Sequence, residues 1–200
     1  MIARMTFIGT VALLTLASAV LAQTPQPVRV AGTIGSVDGA GFTLKPNNGP
    51  DVAVKLADNP QLFGVLPATI ADIKVGDFIA VGAMPQPDGS QKAIQVTIFA
   101  EALRGTGEGF RPWDRPGSTM TNATVDSTVA GVDGQVVVVK YKDGDKKIVI
   151  GPDAQLRRYV PGDRGELKPG AYIVLPRADK EADGTLRAAR VYIGRDGVVP

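Results

Sequence analysis

Thr33-Ile34-Gly35-Ser36-Val37-Asp38-Gly39 returns as Thr128-Val129-Ala130-Gly131-Val132-Asp133-Gly134. Working outward, Val54-Lys55-Leu56 with Gln61-Leu62 is echoed by Ile148-Val149-Ile150 with Gln155-Leu156. Asp72-Ile73-Lys74-Val75-Gly76-Asp77-Phe78-Ile79 is echoed by Glu166-Leu167-Lys168-Pro169-Gly170-Ala171-Tyr172-Ile173. Asp88-Gly89-Ser90 with Ala93, Val96 and Ile98 is echoed by Asp183-Gly184-Thr185 with Ala188, Val191 and Ile193. Order and offset are both kept, at 94–95 residues (62 to 156, 33 to 128). That period exceeds the roughly 20–50 residues of a solenoid unit. It predicts a duplicated domain, with copies at 28–99 and 123–194.

Each copy reads as strands. Val28, Val30 and Ile34 alternate with more polar neighbours, as do Phe42 and Leu44, Val52, Val54 and Leu56, and Ile94, Val96 and Ile98. Period two is the mark of a half-buried strand. Asp38-Gly39, Asp88-Gly89, Asp143-Gly144 and Asp183-Gly184 fall between such runs. Asp-Gly supplies the positive-φ residue of a tight turn. Five short strands per copy are expected, with an irregular stretch between the third and fourth (58–73 and 152–167) holding a short helical turn. The expected fold class is all-β: two tandem five-stranded OB-like β-barrels, each closed on itself so that no sheet edge is exposed.

Residues 100–122 break the pattern and are expected to form a connector loop. Arg104-Gly105-Thr106-Gly107-Glu108-Gly109-Phe110-Arg111-Pro112-Trp113-Asp114-Arg115-Pro116 carries the chain's one tryptophan. Long loops inside compact proteins are functional or packed connectors. Arg104, Arg111, Trp113, Asp114 and Arg115 are the candidate ligand-binding residues. Guanidinium forks hold carboxylate or phosphate, and an indole face adds stacking or cation–π attraction. The competing reading makes Trp113 a plug between the barrels and pairs Arg111 with Asp114. A second basic cluster, Arg157, Arg158, Arg164 and Tyr159, is compatible with an anionic envelope component or with a solvated connector.

Composition removes many chemistries. The chain has 200 residues, no cysteine and no histidine. Disulfides, thiol nucleophiles, histidine-based triads and the usual zinc sites are therefore excluded. A net charge of +2 gives no reason to expect nucleic acid. Residues 1–22, with Arg4, an apolar run from Ile8 and a Val20-Leu21-Ala22 end, are expected to be a cleaved export signal. No later segment is long and apolar enough for a membrane helix. The mature protein is thus expected in the periplasm or secreted.

Gly32-Thr33-Ile34-Gly35-Ser36-Val37-Asp38-Gly39, then Ile73-Lys74-Val75-Gly76-Asp77-Phe78-Ile79-Ala80-Val81, then Asp88-Gly89-Ser90-Gln91-Lys92-Ala93-Ile94-Gln95-Val96, is similar to a bacterial family of exported small β-barrels, domain-of-unknown-function family 5666. The likeness spans both copies. It implies an OB-like barrel in the envelope and transfers no catalytic residue. The expected function is a non-catalytic envelope binding or scaffold protein with no cofactor, whose partner is an envelope protein or an anionic envelope ligand. One alternative is metal-cation handling through the turn acids Asp38, Asp88, Asp133, Asp143, Asp145, Asp163 and Asp183. Another is a hydrolase using carboxylates or a Ser90–Lys92 pair.

Overall fold

The computed structural model describes residues 26–39, 41–131 and 134–200. The expected export signal and Asp133 lie outside them. Twelve strands follow one another: β1 (Val28–Val37), β2 (Gly41–Pro46), β3 (Val52–Pro67), β4 (Phe78–Pro85), β5 (Gln91–Ile98), β6 (Gly109–Pro112), β7 (Thr119–Gly131), β8 (Gly134–Tyr141), β9 (Gly144–Ile150), β10 (Gln155–Pro161), β11 (Tyr172–Lys180) and β12 (Leu186–Gly194). Helical structure among the described residues is limited to three-residue 3-10 turns. Two of them, Ile70–Asp72 and Arg164–Glu166, are the expected short turns ahead of β4 and β11. Each begins in a capping box, with Asp72 and Glu166 reaching back to the backbone N–H of Thr69 and Asp163. No helix among the described residues is long and apolar enough to cross a membrane.

The strands form one sheet that closes on itself. β12, β11, β1, β2 and β3 follow in order, and β3 pairs back onto β12 to complete a five-stranded barrel. β5, β4, β7, β8 and β9 make a second circuit, closed where Gln91 and Lys92 of β5 face Ile148 and Val149 of β9. Each circuit wraps its own apolar lining. Ile34, Phe42, Leu44 and Val54 meet Ile173, Leu175, Leu186 and Ile193 in the first. Ile79, Val81 and Val96 meet Val125, Val137, Val139, Ile148 and Ile150 in the second. These are the inward members of the period-two pattern, and their burial is the main favourable term holding each circuit.

This is not the tandem arrangement expected from the sequence. β1–β3 close with β11 and β12, whereas β4 and β5 close with β7–β9. The boundaries 28–99 and 123–194 therefore do not divide the circuits, because each half of the chain gives three strands to one and two to the other. The cause is the stretch read as irregular. β3 runs on through 57–67, and 155–161 becomes β10. The pairing of β12 with β3 jumps from Ala188↔Leu56 to Arg190↔Gln61. Pro60, which lacks a ladder N–H, sits in that bulge, where proline is tolerated in a sheet. Beyond it the chain stays extended, keeping its pairing with β12 as far as Val65 while Phe63–Pro67 pair with β10 on the other side, which links the two circuits. β10 runs antiparallel to β3 from Arg157↔Pro67 to Pro161↔Phe63.

A third apolar cluster lies at this crossing, with Phe63, Val65, Leu103, Val174 and Tyr192 buried in it. Five rings form a ladder through it. Phe78 meets Phe99 at 5.5 Å, Phe99 stacks on Tyr159 at 5.4 Å, Tyr159 stacks on Tyr192 at 4.4 Å, and Tyr192 tilts against Phe63 at 6.0 Å. Aromatic pairs at such spacings add to area burial. Arg195 closes the cluster's rim through Glu166, with Nε and Nη2 each donating at 2.6 Å. Its guanidinium lies where a side chain on Gly64 would stand.

Candidate functional site

The connector is a hairpin rather than a loop. β6 pairs with the start of β7, Arg111 facing Met120 and Gly109 facing Asn122. The same stretch of β7 pairs with β4 on its other side, Gly82 facing Met120 and Ala80 facing Asn122. β5 continues the rows, with Gln95 opposite Gly82 and Thr97 opposite Ala80. β10 adds Arg157, beside Thr97 in a parallel pair. Because residues in register share a face, Arg111, Met120, Asn122, Ala80, Gly82, Gln95, Thr97 and Arg157 make one continuous surface. It is the outer face of the second circuit, and its small residues, Ala80 and Gly82, leave a trough. Val174, Pro176 and Tyr192 of the first circuit, with Arg29, form the facing wall. The groove between them holds about 390 Å³, within the usual range of small-molecule sites.

Trp113 lies on the trough floor. A Cβ at Gly82 would stand only 2.3 Å from Trp113 Cζ3 and 2.6 Å from Cη2, too close for contact. Its backbone N–H donates to Ser118 O at 3.0 Å across the hairpin turn, which fixes where the side chain starts. Arg111 Nη1 donates to Gly107 O at 2.8 Å. Arg157 Nε donates to Thr97 Oγ1 at 3.0 Å and Nη1 to Val199 O at 3.2 Å. Asn122 is 5% exposed and its Nδ2 donates to Thr106 O at 2.9 Å, yet its Oδ1 has no hydrogen-bond partner.

The tyrosines of the ladder line the same groove. Burial pushes the Tyr159 hydroxyl up to about 12, against a smaller opposing pull from Arg157. Burial also raises Tyr192. Both rings are neutral at ordinary pH. The side-chain charge in the groove is carried by Arg29, Arg111 and Arg157 against Asp114.

Three of the five candidate residues meet there: Arg111, Trp113 and Asp114. Arg104 does not. Its guanidinium is bidentate on Glu101, at 2.6 and 2.7 Å, and also donates to Gly76 O at 3.0 Å. Arg115 is exposed on the hairpin turn outside the lining, where its carbonyl accepts from Ser118. Arg111 and Asp114 make no ion pair among the described residues, and Trp113 packs against Gly82 of the second circuit. Arg157 and Tyr159, read as a separate cluster, join the groove. Arg158, one residue on, points away and pairs with Asp72 at 3.6 Å. The alternation of β10 carries that split, and it was the one sequence signal available. Arg29, Gln95, Thr97 and Asn122 had no signal, since only the sheet register brings them here.

Comparison with known families, curated proteins and solved structures found no match to this chain.

Four of the candidate acids take turn roles, while Asp145 lies in β9 opposite Lys140. Asp38 accepts from Gly41 N, Asp88 from Ser90 N, Asp163 from Gly165 N and Asp183 from Thr185 N. Such bonds close Asx-type turns; the Ser90 hydroxyl and then its N–H hold the Asp88 carboxyl below its ordinary value, and the Thr185 N–H does so for Asp183. Among the described residues no group of three acids could hold a metal ion. Ser90 Oγ donates to Asp88 at 2.6 Å, and Lys92 is exposed. Both line a wide, open cleft of about 910 Å³ at the end of the second circuit.

Proposed function

We propose that this is a non-catalytic binding protein of the bacterial envelope whose ligand sits in the groove between the two circuits and carries negative charge. One observation supports this most. Arg111 and Trp113 from one part of the chain and Arg157 and Tyr159 from another line one groove with Arg29. Guanidinium groups offer donors only and call for an acceptor-rich anion. The reading includes export by residues 1–22, membership of the exported family named above, and circuits that are OB-like barrels derived from a duplicated ancestor.

The test is ligand binding by the Trp113→Ala and Arg111→Met variants. Both should weaken anion binding at least tenfold, and Arg111→Met should leave the melting temperature within a few degrees of the parent. Unchanged binding in both would overturn the assignment of the groove.

A further inference from the structure

We propose that residues 195–200 are a strap over one end of the groove, which an anionic ligand lifts in order to take Arg157. This rests on the groove reading and adds its regulation. The chain leaves β12 at Gly194 and turns back on itself. Asp196 and Gly197 both take left-handed backbone, with φ 51° and 75°, and Val198 N–H donates to Arg195 O at 2.9 Å to close the turn. Val198 then packs on the aromatic cluster, Val199 O accepts from Arg157 Nη1 at 3.2 Å, and Pro200 is buried as part of the groove lining. Arg157 therefore gives Nε to Thr97 and Nη1 to the strap.

The strap has a seat shaped for it. Ile98-Phe99 has its sequence counterpart in Ile193-Gly194. Phe99 puts a ring into the aromatic ladder, against Phe78 and Tyr159. Gly194 puts nothing in the corresponding place, and the strap comes down there instead. A Cβ on Gly194 would collide with Val198 O and stand 3.2 Å from Pro200 Cδ. The backbone at Gly194 is not left-handed, so the glycine serves close approach of the strap and not a turn. The hold is light. Val199 is 60% exposed, Asp196 takes a conformation that few residues other than glycine adopt, and the bond to Arg157 ends on a single neutral carbonyl. A carboxylate or phosphate pairs with a guanidinium by charge and by two-pronged geometry, so an anion displaces that carbonyl where a neutral ligand does not. Lifting the strap frees Nη1 and uncovers the Pro200 end of the groove. The affinity measured is then the intrinsic one, reduced by the fraction of molecules whose strap is raised.

Val199→Cys gives a single labelling site in a chain with no other cysteine, and a nitroxide there reports whether the strap is down. The probes are pyrophosphate and citrate, titrated into the full chain by calorimetry. The nitroxide should be held in the free protein and released by an anion that binds. It should also be released, with no anion present, by Gly194→Ala, whose new Cβ pushes on the strap from outside the groove lining. Gly194→Ala should bind the anion at least tenfold tighter, which corresponds to a parent strap raised about one tenth of the time or less. Should Gly194→Ala fail to fold, the chain carrying Val198→Gly, Val199→Gly and Pro200→Gly together should show the same gain in affinity. Arg111→Met should weaken binding whether the strap is down or raised, which ties the anion to the groove. A nitroxide already free in the parent, or still held when an anion is bound, would overturn the strap and keep the groove. So would an affinity that depends on Arg111 but is unchanged in both strap variants. No heat with either anion, in the parent or in the strap variants, would overturn both readings.

Discussion

Cutting the chain in the hairpin turn at Arg115–Gly117 should not release the two halves. In this fold neither half owns a complete circuit. To separate, the N-terminal half must withdraw Ile34, Phe42, Leu44 and Val54 from the first lining and Ile79, Val81 and Val96 from the second. The other half must expose their partners: Ile173, Leu175, Leu186 and Ile193 in the first, and Val125, Val137, Val139, Ile148 and Ile150 in the second. Each side chain so exposed costs about 1.5–3 kcal/mol. Even at the low end the set exceeds the roughly 4–15 kcal/mol that association takes. The surplus passes the ~8 kcal/mol of a micromolar complex. A protease site placed in the exposed turn provides the assay. The nicked protein should elute as one species of intact size at micromolar concentration. It should come apart only in denaturant, with a midpoint that now depends on protein concentration. Each half, isolated in urea and refolded alone, should give no monomeric cooperative transition. A half that refolds alone into a monomer melting cooperatively would refute the strand exchange.

Other expectations follow from single contacts. Gly82→Ala should drive the indole off β4, shift Trp113 emission to the red and cost about 1–3 kcal/mol, the usual range for overpacking, read by urea titration. Gly32→Ala should fare worse in the same titration, because its Cβ would run into the backbone of Lys45 and Pro46, which cannot swing aside. Tyr159 should resist ionisation in a 295 nm titration until near pH 12. Its folded value lies above the unfolded one, so its contribution is whole below about pH 10 and is lost as pH rises through 12, by a few kcal/mol at most. Tyr159→Phe should flatten that alkaline limb. The Arg195 guanidinium holds the Glu166 carboxyl below its ordinary value, so this pair stabilises above that ordinary value and fades as pH falls through the lowered one. Glu166→Gln should cost about 1 kcal/mol at pH 7 and remove that acid slope from the melting curve.

The strands and turns were legible in the chain because they depend on near neighbours. Alternation in Val52-Ala53-Val54-Lys55-Leu56 sets a half-buried strand, and Asp88-Gly89 sets a turn wherever the segment is placed. The inward sets, Ile79 with Val81 and Ile173 with Leu175, are likewise read directly. What alternation cannot say is which strands close which circuit. Phe78-Ile79-Ala80-Val81 and Tyr172-Ile173-Val174-Leu175 offer equivalent faces to a β1–β3 sheet, so self-closure and exchange bury similar residues. The choice falls to 57–67 and 155–161, whose extended path and mutual pairing exist only once the chain is folded. A strand of 16 residues reaches about 50 Å, enough to line one circuit and link it to the next. The site inherits that decision. Trp113 and Arg111 announce themselves by type, but Arg29, Asn122 and Arg157 become neighbours only through the crossing, because register rather than sequence distance sets which side chains share a face.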